Sequence, residues 1–399
     1  MKKIAWFIPY PTEGSGGHRT IFQNLQALVN CGYECHAYIE DIGSGETPNQ
    51  LKSSIHKYFG NIDAKVYLGF QPQEQYDLIF ATAWYTAKFV RDVNQNCKKA
   101  YFIQDFEAYF NPMGDGYLLA ENSYRYGLMP VTIGKWLSNK MINEFNTPSN
   151  YFDFCADNKV YKKLNSNKEK AVCFIYQPEK PRRCNIIGIE ALGIVKHLMP
   201  DVKVYLYGSK QKTNVWFDHI NLELINIEQC NELYNKCMVG LCISSSNPSR
   251  IPFEMMAAGL PVVDIHKENN LYDMPDNGVL LADQTPESIA EAIINIISNE
   301  EQQQEMSDQG VKFMENKDLE TGFKQFVEAV DKMFEANYTG NTSIDRMYLA
   351  PPVIADVFLQ SKSKDIAILS NQSVPSIRRS ILYRGLRKVK RSIKRLIKN

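Results

Sequence analysis

Short apolar runs alternate with segments of helical spacing along most of this chain. Ile4–Ile8, Lys65–Gly69, Asp77–Ala81, Ala100–Ile103 and Pro130–Ile133 are rich in Val, Ile, Phe and Tyr, the pattern of strands buried on both faces. Between the first and later runs, Thr20–Val29 sets Ile21, Leu25 and Leu28 on one helical face. Strand–helix alternation of this kind predicts a parallel sheet covered by helices. After a polar stretch, Asn158–Lys170, the pattern restarts. It predicts strands at Ala171–Tyr176, Val202–Tyr207, Leu222–Ile225, Val239–Ile243, Pro261–Ile265 and Val279–Leu281, with helices at Cys184–Leu198, Pro252–Ala258 and Pro286–Ser298. Two α/β units result, residues 1–165 and 166–318. Ligands of such sheets sit at the carboxyl ends of strands, so a pair of units implies a cleft between them.

Further helical patterns follow at Glu300–Glu315 and Leu319–Ala336. In the second, Phe323, Phe326, Val330, Met333 and Phe334 form one apolar face. Residues 337–375 have no clear period and read as an extended connector.

Charge changes the picture at the end of the chain. The 399 residues hold 45 Lys+Arg and 45 Asp+Glu, but ten of the basic residues and no acidic one lie in 376–399, leaving a body of formal charge −10. Within that tail Ile377, Ile381, Leu382, Leu386, Val389, Ile393, Leu396 and Ile397 recur at three- and four-residue steps. This is the pattern of a basic amphipathic helix lying on an anionic membrane surface. Nucleic acid is the weaker partner, because only Tyr383 could stack on bases and the acidic body repels phosphate. Met1–Pro11 reads as a first strand and not a signal peptide: Pro9 and Pro11 break the apolar stretch, and no small-residue cleavage site follows. The nine cysteines are odd in number and scattered, which favours reduced thiols in a cytosolic chain. The composition, 44% hydrophobic and 23% charged, excludes collagen-like, disordered and disulfide-scaffold classes.

Three polar strand ends carry the candidate chemistry. Glu13-Gly14-Ser15-Gly16-Gly17-His18-Arg19 joins a strand to a helix, where glycines let backbone N–H groups approach an anion. It is not a dinucleotide fingerprint, since Arg19 stands where the third glycine belongs. On the glycines alone a plain tight turn remains equally open. Lys180-Pro181-Arg182-Arg183 could clamp a diphosphate, guanidinium groups bonding phosphate oxygens in pairs, or be a solvated basic turn. Ser244–Glu254 is the third, with Pro252 suited to a helix's first turn and Glu254 either complementing the helix dipole or accepting sugar hydroxyls. There is no Asp-x-Asp, no zinc spacing, no Walker loop and no Gly-x-Ser-x-Gly.

These residues resemble a known family. Gly16-Gly17-His18-Arg19 with the helix after it, Asp77–Ala87, Gln104–Phe110, Ile175–Arg183 and Ser246–Glu254 are together similar to GT-B glycosyltransferases of the large family-4 retaining type, and most to bacterial rhamnosyltransferases of cell-surface glycans. The resemblance spans roughly residues 1–335. It implies an α/β fold of two Rossmann-like domains facing each other across a cleft, acceptor bound by the first and nucleotide sugar by the second. It also implies that the helix 319–336 crosses back onto the first domain. The implied reaction needs no metal or other cofactor and moves a sugar, with L-rhamnose from dTDP-rhamnose the expected donor, onto a growing or lipid-linked glycan. Carried over by position, Arg182 and Arg183 stabilise the leaving diphosphate. Lys180, Ser246, Arg250 and Glu254 bind the donor, and Gly16, Gly17, His18, Arg19, Trp84, Gln104 and Asp105 line the cleft and acceptor side. Two departures stand out: Ser246 replaces the first of the family's two glutamates, and Gln104 replaces a common histidine. A cytoplasmic enzyme attached peripherally to the inner face of the plasma membrane follows from the family and the tail together. A nicotinamide-dependent oxidoreductase and a non-catalytic carbohydrate-binding scaffold are the rival readings.

Overall fold

The computed structural model describes residues 1–211 and 215–356. The first unit is built on strands β1 (Lys3–Ile8), β2 (Glu34–Ile39), β3 (Lys65–Leu68), β4 (Leu78–Ala81), β5 (Lys98–Ile103), β6 (Met129–Ile133) and β7 (Asn150–Phe152). All pair in parallel, in the order β3-β2-β1-β4-β5-β6-β7. Helices α1 (Gly16–Asn30), α2 (Pro48–Phe59), α3 (Trp84–Asp92), α4 (Asp115–Ser123) and α5 (Lys135–Phe145) form the crossovers. Ile4 to Ile8 are wholly buried, as a central strand covered on both faces requires.

The second unit repeats the plan. Strands β8 (Ala171–Ile175), β9 (Lys203–Tyr207), β10 (Ile220–Asn221), β11 (Val239–Leu241), β12 (Val262–Ile265) and β13 (Val279–Ala282) run parallel in the order β10-β9-β8-β11-β12-β13. Helices α6 (Asn185–Leu198), α7 (Ile227–Lys236), α8 (Ile251–Ala257), α9 (Pro286–Ser298) and α10 (Glu300–Met314) accompany them. In each sheet the order reverses beside its first strand, between β1 and β4 and between β8 and β11. Those reversals leave crevices at the carboxyl ends, where loops diverge to opposite sides.

The predicted strand Leu222–Ile225 is displaced: the strand is Ile220–Asn221. Glu223 has φ 55°, in the left-handed region, and its N–H donates to Asn221 Oδ1, so the chain turns out of the ladder there. Three positions later Asn226 caps α7, its side chain accepting the N–H of Gln229.

Helix α11 (Leu319–Met333) ends before Ala336 and packs on α1, β6 and β7 of the first unit. Phe326 is buried among Trp6, Phe80, Phe102 and Phe152, with ring centroids 5.4 to 6.0 Å away. The Tyr33 hydroxyl bonds the Asp331 carboxylate, holding the same helix to the start of β2. Past α11 the connector first pairs Asn341 with Ser149, then Val353 with Ala282 at the edge of the second sheet. The amphipathic tail predicted at 376–399 lies outside the described residues. All nine cysteines are free thiols.

Candidate active site

The clamp turn follows β8, and the Ser/Asn-rich loop follows β11. The two are laced together across their switch point. Arg183 Nη1 donates to Ser249 Oγ at 2.8 Å, and Ser245 Oγ donates to the Arg182 carbonyl at 2.7 Å. Beneath them the Asp264 carboxylate on β12 accepts the Ser244 N–H at 2.8 Å and its hydroxyl at 2.7 Å, with the Asn269 amide donating to the Ser244 carbonyl at 2.8 Å. Burial pushes the Asp264 carboxyl up to about 7. A buried hydrogen-bond network of this kind fixes the loop shape.

The first unit meets this loop at the carboxyl end of β5. Asn247 Nδ2 donates to the Gln104 carbonyl at 2.9 Å. Ser246 Oγ donates to Asp105 Oδ2 at 3.3 Å, and Arg182 Nε lies 3.9 Å from the same oxygen. Burial raises the Asp105 carboxyl to about 6, against the opposing pull of Arg182, Ser246 and Arg183. Its Oδ1 is buried with no hydrogen-bond partner among the described residues. The Arg182 guanidinium also sits 4.7 Å over the Phe110 ring, which leaves its edge open to a ligand.

The structure brings most of the predicted residues to this cleft. Arg250 bridges the units, its Nη1 donating to Thr20 Oγ1 of α1 at 3.3 Å. Glu254, on the first turn of α8, is raised by burial and pulled back by Arg250, Tyr161 and Arg19, so Arg19 of the first unit faces the donor side. Lys180 is held below its usual range by burial and by Arg183 and Arg182 beside it. Ser15 caps α1, its Oγ accepting the His18 N–H. A Cβ added at Gly16 would meet nothing within 4 Å, and one at Gly17 would reach only ordinary contact with the Gln104 amide at 3.8 Å and Ser15 Oγ at 3.9 Å. These glycines therefore keep space open at a helix amino end and relieve no clash. His18 is committed elsewhere: Nε2 lies 3.2 Å from the Pro9 carbonyl and Nδ1 2.8 Å from Ser15 Oγ, between Phe22 and Phe59. Burial lowers its value, so it pins the glycine turn as a neutral ring. Trp84 opens α3, its N–H donating to Glu107 at 2.6 Å, and burial raises that carboxyl to about 8.

Sequence reasoning missed Asn247, Ser249 and Lys267. Lys267 follows β12, donates to the Ser245 carbonyl at 2.6 Å and lies 4.8 Å over the Tyr109 ring. The first two stood inside the Ser244–Glu254 stretch but carried no charge to mark them; Lys267 had no motif around it.

Known proteins share this architecture. Residues 170–294, the second unit, match the family model of the WsaF C-terminal domain. The O-antigen biosynthesis protein RfbC of Myxococcus xanthus is 28% identical over 231 residues, 56% of this chain and 18% of that protein's own length. Sucrose-phosphate synthase from Thermosynechococcus elongatus superposes with a TM-score of 0.63 at 13% identity, over 84% of this chain and 99% of that one. The fold is GT-B. Anabaena HepE, solved with UDP and glucose, has the same fold: TM-score 0.64 at 15% identity, over 83% of this chain and all of that one.

Proposed function

We propose that this chain is a glycosyltransferase of polysaccharide biosynthesis, moving a sugar from a nucleoside diphosphate onto a glycan acceptor. The observation that carries the proposal is the meeting of two strand-end crevices. Arg182 and Arg183 stand on one side, Arg19 and Asp105 on the other, and the polar contacts between them close a single cleft. The name of the Myxococcus relative and the nucleotide and sugar held by HepE support the reading. L-rhamnose from dTDP-rhamnose, with retention of configuration, is the donor chemistry we favour, on the resemblance of the Gln104–Phe110 and Asp77–Ala87 segments. A growing or lipid-linked glycan is the acceptor, and the basic tail, at residues 376–399, holds the enzyme on the cytoplasmic face of an anionic membrane. Among the described residues no helix is long and apolar enough to cross a membrane.

In this mechanism Arg182, Arg183 and Lys180 take the charge that builds on the departing diphosphate, and the cleft holds the acceptor hydroxyl against the anomeric carbon. Glu254 and Ser246 orient the donor. On this reading no metal is called for, because Lys180, Arg182 and Arg183 supply the charge that would neutralise the diphosphate. Among the described residues the one His/carboxylate group with metal-ligand spacing is Glu34, His36 and Glu74. It sits at the amino ends of β2 and its neighbours, opposite the cleft, and Lys3 and Lys65 already neutralise its carboxylates. Incubating the full chain with dTDP-rhamnose and a rhamnose-containing acceptor in excess chelator, with the product followed by NMR, tests the reading. Transfer with the donor's anomeric configuration kept supports it, and transfer only after magnesium or manganese is restored overturns the metal-independent mechanism.

A further inference from the structure

A carboxylate of the first unit faces the clamp. Asp105 Oδ2 lies 3.9 Å from Arg182 Nε and accepts the Ser246 hydroxyl, and these contacts reach from the first unit to the second. A diphosphate gripping Arg182 would sit against that carboxylate. Two anions at such a distance repel strongly in a partly buried site, unless one of them takes a proton.

We infer that Asp105 is the proton-carrying member of the diphosphate site: it balances Arg182 while the cleft is empty, and takes up one proton when a diphosphate replaces it there. This rests on the reading of Arg182 and Arg183 as the diphosphate clamp.

The groups around Asp105 decide the direction. From the turn after β8, Arg182 and Arg183 favour the ionised form, and from the loop after β11 Ser246 does so by donating a hydrogen bond. Lys267, after β12, feels the carboxylate as a neighbouring charge. On its own segment Glu107 is pushed up by it, and Tyr124 across the turn is affected likewise. The Phe106 N–H on its own segment favours the ionised form too; burial opposes all four of these contacts and holds the carboxyl at about 6. Transferring the two guanidinium charges to a diphosphate removes the largest of the favourable contacts and adds a repulsive one. Both changes raise the carboxyl further. The unpartnered Oδ1 gives the proton a place to reside, where a neutral acid could donate to a phosphate or sugar oxygen. The balance is simple: one proton comes from solvent, and no bond of the ligand changes.

Linkage turns this into a slope. Above about pH 6 the empty site is ionised and the loaded site protonated, so affinity falls as pH rises, by up to about tenfold per unit for one proton. A nucleotide sugar is the proper probe, since its diphosphate diester does not itself titrate near neutrality. Calorimetric titration with UDP-glucose, UDP-N-acetylglucosamine and dTDP-rhamnose, from pH 6 to 8 and in buffers of different ionisation enthalpy, reads both slope and proton count. The wild-type chain should take up protons and bind more weakly at pH 8. Asp105→Asn should bind more tightly than wild type at pH 8, with no slope. Ser246→Ala, which removes only the hydroxyl donor, should move the onset of the slope to higher pH. A wild-type affinity that is flat with pH, or an Asp105→Asn variant that binds more weakly than wild type, overturns the inference while leaving the clamp intact. Failure of all three sugars and of inorganic pyrophosphate to bind would instead remove the clamp reading, and this inference with it.

Discussion

The carboxylate of Asp273, in the second unit, accepts the backbone N–H of Lys135, in the first, at 2.7 Å. Its other oxygen accepts the N–H of Trp136 at 3.1 Å. Helix α5 has Gly134 as its cap residue, so the side chain that satisfies its first amides comes from the facing domain. Gly134 is required there twice over: φ is 80°, and an added Cβ would lie 2.3 Å from the Phe154 ring and 3.0 Å from Asp273.

Asp273→Ala should therefore cost about 1–3 kcal/mol of stability, as loss of a buried helix cap does. Asp273→Asn should cost less and alter the pH profile. Burial raises the folded carboxyl to about 6, so between pH 4 and 6 the folded state keeps a proton that the unfolded state releases. Wild-type stability then falls as pH rises through that window, and the asparagine variant should lack this part of the slope. Urea denaturation at several pH values measures both.

Phe326→Ala should cost about 3–5 kcal/mol, the range for deleting a buried ring. Four aromatic rings of the first sheet lose their contact with α11 together, so the two units should also begin to melt separately. Calorimetry that still shows one transition would place the coupling in Asp273 and Arg250 instead.

The double variant Arg182→Ala/Arg183→Ala should slow transfer by at least ~10²–10³, the usual cost of removing charge stabilisation from a leaving group. Circular dichroism should stay unchanged, since both side chains are only half-buried and belong to no hydrophobic core. Turnover near wild type would mean that neither arginine touches the diphosphate.

Removal of 376–399 should abolish co-sedimentation with anionic liposomes and leave transfer to a soluble acceptor nearly unchanged. Full retention on the liposomes would move the anchor elsewhere.

Most strands of both sheets were legible from the sequence because they are apolar runs, which a parallel sheet buried on both faces demands, but β2 and β7 were not among the predicted runs. The short edge strand β10 was misplaced, because Glu223 in a left-handed turn leaves no mark on hydrophobicity. Charged strand-end residues such as Arg182, Arg183 and Arg250 also stood out. What stayed hidden was pairing across the cleft. Asp273 capping α5, Asn247 meeting the Gln104 carbonyl, and Asp105 facing Arg182 join residues 77 or more positions apart, and no local pattern records such partners. His18 looked like a cleft reagent from its place in the glycine turn; only the structure reveals that Pro9 and Ser15 occupy its ring.

A thermal-shift screen of nucleoside diphosphates and their sugars, on the wild-type chain and the Arg182→Ala/Arg183→Ala variant side by side, bears most directly on the central claim. A ligand at about 100 times its Kd stabilises a fold by about 2.7 kcal/mol, enough for a shift of several degrees. The account predicts that dTDP or dTDP-rhamnose raises the melting temperature of the wild-type chain and leaves that of the variant where it was. An equal rise in both proteins, or no rise with any nucleotide, would contradict it.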